Sequence, residues 1–204
     1  KEYCKDKVVL AVKQAYDYLP EVVDFHFWNC SNLPSHSANG AHYPYWQKEP
    51  IVISSSNYDL GMRWDASKQK QDLYFKIPIR TEINNEFITK TLKFDDYLLD
   101  NQLTRPCGPG IMLETVIYMA VHLGVSKITA IGWDINSAKT EDQHKHFFGE
   151  TKNLFNRGDL LDWEIKSNQD ASKQLFEWLK EKNVDLILAS NKSSLYNEIP
   201  RITL

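Results

Sequence analysis

Residues 105–134, RPCGPGIMLETVIYMAVHLGVSKITAIGWD, decide the fold. Gly108, Pro109 and Gly110 can bend sharply and leave backbone N–H groups at a helix start. Met112, Val116, Met119, Ala120 and Leu123 then recur at helical spacing and predict an amphipathic helix. Gly124 stands where a left-handed cap residue belongs. Residues 128–131 are a short apolar run that reads as a buried strand, and Gly132, Trp133 and Asp134 follow it. Loop, helix, turn and strand in this order make half of an α/β unit. Such a unit brings a helix N-terminus and a carboxylate to the ligand-binding edge of a parallel sheet.

Upstream, residues 8–12 (VVLAV) read as a buried parallel strand, and residues 14–19 as a short helix closed by Pro20. Residues 24–28 (DFHFW) predict a second strand that runs into Asn29. Residues 35–50 are a loop, and residues 51–53 a third strand that runs into Ser54, Ser55 and Ser56. The stretch 58–103 is the least regular. Residues 73–79 and 86–92 suit strands that could pair as a hairpin, and residues 95–102 a short helix. An insertion of this length serves as a lid or acceptor site, or extends the sheet as an antiparallel edge.

Downstream, residues 137–163 read as loop with one helical turn. Residues 170–182 predict a helix with Leu175, Phe176 and Leu179 on one face. Residues 184–189 predict a buried strand, followed by Ser190 and Asn191 and a last short helix at 194–198. The expectation is one α/β domain over residues 1–204: a Rossmann-like parallel sheet with helices on both faces and a long insertion, 58–103, before the central helix. The strands at 8–12, 24–28, 128–131 and 184–189 are expected side by side in one sheet.

A chain of 204 residues suits such a domain, and a net charge of −3 argues against a general nucleic-acid binder. Cys4, Cys30 and Cys107 are odd in number and lack metal-type pairing, which fits free thiols in a reducing cytoplasm. No apolar run is long enough to span a membrane, so membrane contact is expected to be at most peripheral, at the inner face. The six Trp and ten Tyr can stack on sugars and bases as well as fill a core.

Several predicted strands end in polar residues: Asn29, Ser54 to Ser56, Asp134, and Ser190 with Asn191. Strand C-termini face the ligand crevice of an open α/β sheet, and neutral amides and hydroxyls there can bond ribose, base and phosphate. Turn chemistry also places Asn and Ser at such ends. Asn29, Gly108, Pro109, Gly110, Asp134 and Asn191 are therefore expected to line one crevice.

The strand–Asn pattern, the glycine-loop helix, the Gly-Trp-Asp strand end and the closing helix–strand–Ser-Asn order resemble the sialyltransferases of glycosyltransferase family 42. They also look like the related domain of unknown function that includes 6-hydroxymethylpterin pyrophosphokinase-like proteins. The likeness runs from Lys7 to Ile202 and is strongest over residues 108–134 and 170–191. It implies a CMP-sugar donor in a Rossmann-type domain, inversion at the anomeric carbon, and no metal or further cofactor. Asn29 matches one nucleotide-holding Asn, Pro109-Gly110 the small-residue–glycine pair, and Asp134 the acidic residue after the central strand.

Four departures stand beside this likeness. Lys13 and Gln14 occupy the place of a second Asn. Asn136, His144 and His146 occur where two phosphate-holding tyrosines belong. The family's catalytic His lies in a loop before the last long helix, where Asp162 to Ser167 contains none. The family's first strand and its glycine-rich loop have no counterpart, so the natural chain is expected to extend upstream of Lys1 with that strand.

Inverting transfer needs a base, fixed donors for the departing phosphate, and an aligned anomeric carbon. His144 and His146 are the candidate bases, with Glu164, Asp162 and Asp170 as carboxylate alternatives. No third ligand accompanies the His-x-His pair and Asp134, which argues against a metal site. Arg105 can bind phosphate through its fork. His26 reads as an interior or crevice-wall side chain and His122 as a dipole-matched helix end.

The function expected is an inverting, metal-independent glycosyltransferase that carries a nucleotide-activated, CMP-type acidic sugar to a surface glycan. Its partners would be the nucleotide-sugar donor and a glycan or lipid-linked acceptor, with no nucleic acid; a homo-oligomer is compatible. The alternatives are a pterin pyrophosphokinase-like enzyme, which would need ATP and Mg²⁺, and a non-catalytic nucleotide- or glycan-binding domain.

Overall fold

Short apolar runs become strands here, and every described strand pairs in parallel. The computed structural model describes residues 2–30, 48–56, 72–76, 112–133, 158–190 and 193–204. These fall into two compact units, divided between Met119 and Ala120. The architecture is α/β.

In the first unit β1 (Leu10–Val12), β2 (Phe25–Cys30), β3 (Ile51–Ser56) and β4 (Leu73–Lys76) form a four-stranded sheet in the order β1-β2-β3-β4. Successive residues of β1 serve opposite faces, as the period of a strand demands. Leu10 and Val12 pack with Phe27, Ile53 and Val116. Ala11 packs with Tyr16 and Val23. Met112, Val116 and Met119 form one stripe of a helix that opens as a π turn (Met112–Val116) and continues as α1 (Ile117–His122). Tyr16 comes from the 3-10 helix Lys13–Tyr18, which directly follows β1. Both faces of the strand are thereby covered, which explains its unbroken apolar sequence.

Two aspartates fix the starts of this sheet in the same way. The Asp24 N–H donates to the Val9 carbonyl (3.0 Å), and the Val9 N–H returns a bond to Asp24 Oδ2 (2.8 Å). The Asp72 N–H donates to the Val52 carbonyl (2.8 Å), and the Val52 N–H donates to Asp72 Oδ2 (2.7 Å). Each carboxylate thus receives an amide from the neighbouring strand just before its own strand begins.

β4 corrects, for residues 73–76, the alternative reading of the 58–103 stretch as an antiparallel edge of the sheet. It lies parallel to β3, with Ile53 opposite Leu73 and Ser56 opposite Lys76. Alternating hydrophobicity specifies a strand but not the direction of its neighbour. Residues 77–79 and 86–92 lie outside the described residues.

In the second unit β5 (Lys127–Ala130) and β6 (Asp185–Leu188) pair in parallel around the crossover helix α2 (Gly158–Glu181). The four strands expected in one sheet are therefore divided: β1 and β2 belong to the four-stranded sheet, β5 and β6 to a two-stranded one. A continuous apolar run reports burial on both faces and carries no information about which strand lies beside it. Beyond β6, Arg201 makes a parallel bridge to Leu188, whose N–H donates to the Pro200 carbonyl.

α2 is a larger correction. A helix was expected at residues 170–182 and loop over most of 137–163, yet α2 begins at Gly158. Its buried stripe is Asn168, Ala171, Ser172, Leu175, Trp178 and Leu179. The polar member Asn168, just ahead of the expected start, broke the apolar pattern that marks a helix in sequence, although it keeps the spacing. Asp162 and Glu164, expected in a loop, consequently stand within the helix.

Both described α-helices end alike. Gly124 has φ +76°, its N–H bonds the Val121 carbonyl, and the Val125 N–H reaches back to Ala120. Asn183 has φ +57°, its N–H bonds Lys180, and the Val184 N–H reaches Leu179. These paired bonds are Schellman caps. Leu123, expected on the core face, is 43% exposed because it is the residue at which the chain leaves the helix. Ile131, expected in the strand, is likewise exposed, since β5 ends at Ala130 before the left-handed Gly132.

A Cβ added at Gly124 would meet no atom within 4 Å, so Gly124→Ala is a pure backbone test. Its expected cost is about 1–2 kcal/mol, the penalty of a left-handed L-residue. Urea unfolding checks this, and an unchanged midpoint would show that the cap is not held in the folded chain.

Candidate functional site

Parallel strands carry their C-terminal ends to one edge, and the polar residues expected there are placed by register. Asn29 stands opposite Ser55, and Ser55 opposite Phe75. Cys30 stands opposite Ser56, and Ser56 opposite Lys76. Asn29 and the serines of β3 thus share the C-terminal edge of the four-stranded sheet.

The second unit builds the same kind of edge. Ala130 and Leu188 are in register, and the Ala189 N–H donates to the Ala130 carbonyl at 2.8 Å. The chain beyond each strand is then tied to the other, because buried Ser193 Oγ donates to the Trp133 carbonyl at 2.7 Å. Trp133 precedes Asp134 in sequence, and Ser190 and Ser193 bracket Asn191. Ser172 of α2 joins this edge: its hydroxyl accepts the Tyr196 N–H (3.0 Å) and donates to the Gln169 carbonyl (2.9 Å). Ser172, Ser193 and Arg201 were not singled out by the sequence. A serine five residues past a strand is a weak signal, and the other two act only once the chain has folded back.

Of the expected site residues, Asn29 is placed as described and Glu164 lies in α2. Gly108, Pro109, Gly110, Asp134, His144, His146 and Asn191 lie outside the described residues, as does Arg105. His26 is fully buried and stacks on Tyr16 with ring centroids 5.5 Å apart, the interior role expected for it. His122 stands in the last turn of α1, as expected.

The opposite edge of the first sheet has a groove of about 620 Å³ beside Asp6, Lys7, Asp24, Lys48 and Glu49. Its Asp24 carboxylate is already engaged by the Val9 N–H and the Lys48 ammonium, so it is committed to structure. In the second unit the Tyr196 phenol is held above its usual range, first by its hydrogen bond to Glu198, then by burial and the charges of Glu198 and Glu177. It packs beside Phe176 and the Lys173 ammonium.

Among the described residues no group of three or more His, Cys, Asp or Glu is placed to hold a metal ion, and no helix is long and apolar enough to cross a membrane. Comparison with known protein families, curated proteins and solved structures finds no match to the chain.

Proposed function

We propose that the chain is an inverting glycosyltransferase that uses a nucleotide-activated, CMP-type acidic sugar, acts in the cytoplasm and delivers to a glycan or lipid-linked acceptor. The observation that supports this reading is the polar C-terminal edge of the first unit's strands, where Asn29 meets Ser55 in register; the second unit has a polar strand end of its own, where Trp133 is tied to Ser193. Neutral amides and hydroxyls at such an edge suit ribose, base and phosphate. A Rossmann-like arrangement, with residues 58–103 as insertion or lid, is part of the same proposal.

The start of α2 supports the choice of base. The family that the sequence resembles keeps its catalytic His ahead of this helix. With the helix beginning at Gly158, the stretch between β5 and α2 is the one that holds His144 and His146. One imidazole would take the acceptor hydroxyl proton as that oxygen attacks the anomeric carbon. The bond from that carbon to the phosphate oxygen breaks, and CMP leaves with the electron pair. Glu164, inside α2, is the weaker candidate.

Calorimetric titration with CMP, a CMP-sugar and Mg·ATP tests the proposal. CMP and the CMP-sugar should bind, and ATP should not. Binding of Mg·ATP alone would replace this reading with the pyrophosphokinase one, and binding of none of the three would remove the nucleotide altogether.

A further inference from the structure

One side chain holds the turn that follows β6. Arg201 Nη1 donates to the carbonyls of Asn197 (2.9 Å) and Ile199 (2.8 Å), and Nη2 to those of Ser193 (3.3 Å), Leu195 (3.1 Å) and Tyr196 (3.4 Å). All five acceptors are neutral backbone oxygens drawn from a span of seven residues, 193–199. Converging carbonyl dipoles repel one another unless a cation lies among them, and a planar guanidinium can answer several at once. Arg201 is itself anchored, because the N–H of Leu188 donates to Pro200 and the N–H of Ile202 to Leu188, each at 2.9 Å. The same turn touches the chain just beyond β5 through Ser193 and Trp133, and α2 through Tyr196 and Ser172.

We propose that Arg201 is a positioning residue: a tethered cation that sets the conformation of residues 193–199 and so shapes the wall of the ligand edge at the ends of β5 and β6. This rests on the reading of that edge as the nucleotide side. Lysine cannot replace it, since an ammonium has three donors on a flexible stem.

The test uses the full chain with Arg201→Met and Arg201→Lys. Hydrogen exchange is read at the amides of Tyr196 and Ile199, which bond Ser172 Oγ and the Tyr196 carbonyl, and at Ile51 in the first sheet as reference. CMP affinity is measured in parallel. In Arg201→Met both turn amides should exchange at least about tenfold faster and CMP should bind about tenfold more weakly, as for loss of a hydrogen bond to a charged group. Ile51 should be unchanged, and millimolar guanidinium ion should restore the turn. Unchanged exchange at the turn overturns the proposal. Faster exchange with unaltered CMP affinity overturns the positioning role, and a matching rise at Ile51 reduces Arg201 to global stability. Wild-type protein that binds no CMP sinks the nucleotide reading instead, and the exchange data then decide separately whether Arg201 holds the turn.

Discussion

Replacing His144 and His146 together with alanine should lower the rate of sugar transfer by roughly 10²- to 10⁴-fold, the usual worth of a general base. CMP affinity should stay close to that of the unmodified chain, because a base acts on the acceptor hydroxyl and not on the nucleotide. The effect should appear in kcat more than in KM. Separate His144→Ala and His146→Ala variants would assign the proton to one imidazole. Glu164→Gln is the internal comparison, and its turnover should change little. Unchanged transfer in the double variant would move the base to Glu164 or Asp162, inside α2, and would break the link between this stretch and the catalytic step.

Phe27→Ala should destabilise the first unit by about 3–5 kcal/mol, the range for deleting a buried aromatic ring. Phe27 is 0% exposed and stands in register with Val12 on one side and Ile53 on the other. It packs with Val116, and Met112 and Met119 border the same cluster. No rotamer change of its neighbours fills a hole left by a whole ring, so the cavity term adds to the lost transfer energy. Phe27→Leu should cost less, since most of the volume remains. Urea unfolding followed by tryptophan fluorescence measures both. A loss below about 1 kcal/mol for the alanine variant would mean that this cluster is not a close-packed core.

The elements legible in the sequence are those whose side chains do one job. VVLAV, DFHFW and residues 184–188 announce themselves as strands because apolar residues dominate each short run, even with Asp24, His26 and Asp185 among them, and Gly124 announces a helix end because a left-handed residue is needed there. The first three turns of α2 were not legible, since Asn168 occupies a buried position that an apolar residue usually holds, and Ser172 farther along keeps a polar place on the same stripe. Ser172 is there for the Tyr196 amide, a partner 24 residues away that no local pattern reveals. Strand partners were equally hidden: nothing in residues 128–131 distinguishes a place beside β2 from a place beside β6. At the candidate site, Asn29 and its neighbours in β3 could be read because strand ends are short-range features. Arg201 could not, because its five acceptors become a site only when the chain has turned.

The reciprocal bonds of Asp24 with Val9 and of Asp72 with Val52 give the four-stranded sheet a polarity of purpose. At the end where strands begin, carboxylates and amides are spent on holding the register, which would otherwise be open to slippage. At the end where strands finish, the register sets Asn29 beside Ser55, and Cys30 beside Ser56. Substitutions at the first margin should therefore be felt as altered melting, and substitutions at the second as altered recognition. A chain built this way can change what it binds without renegotiating how its strands align.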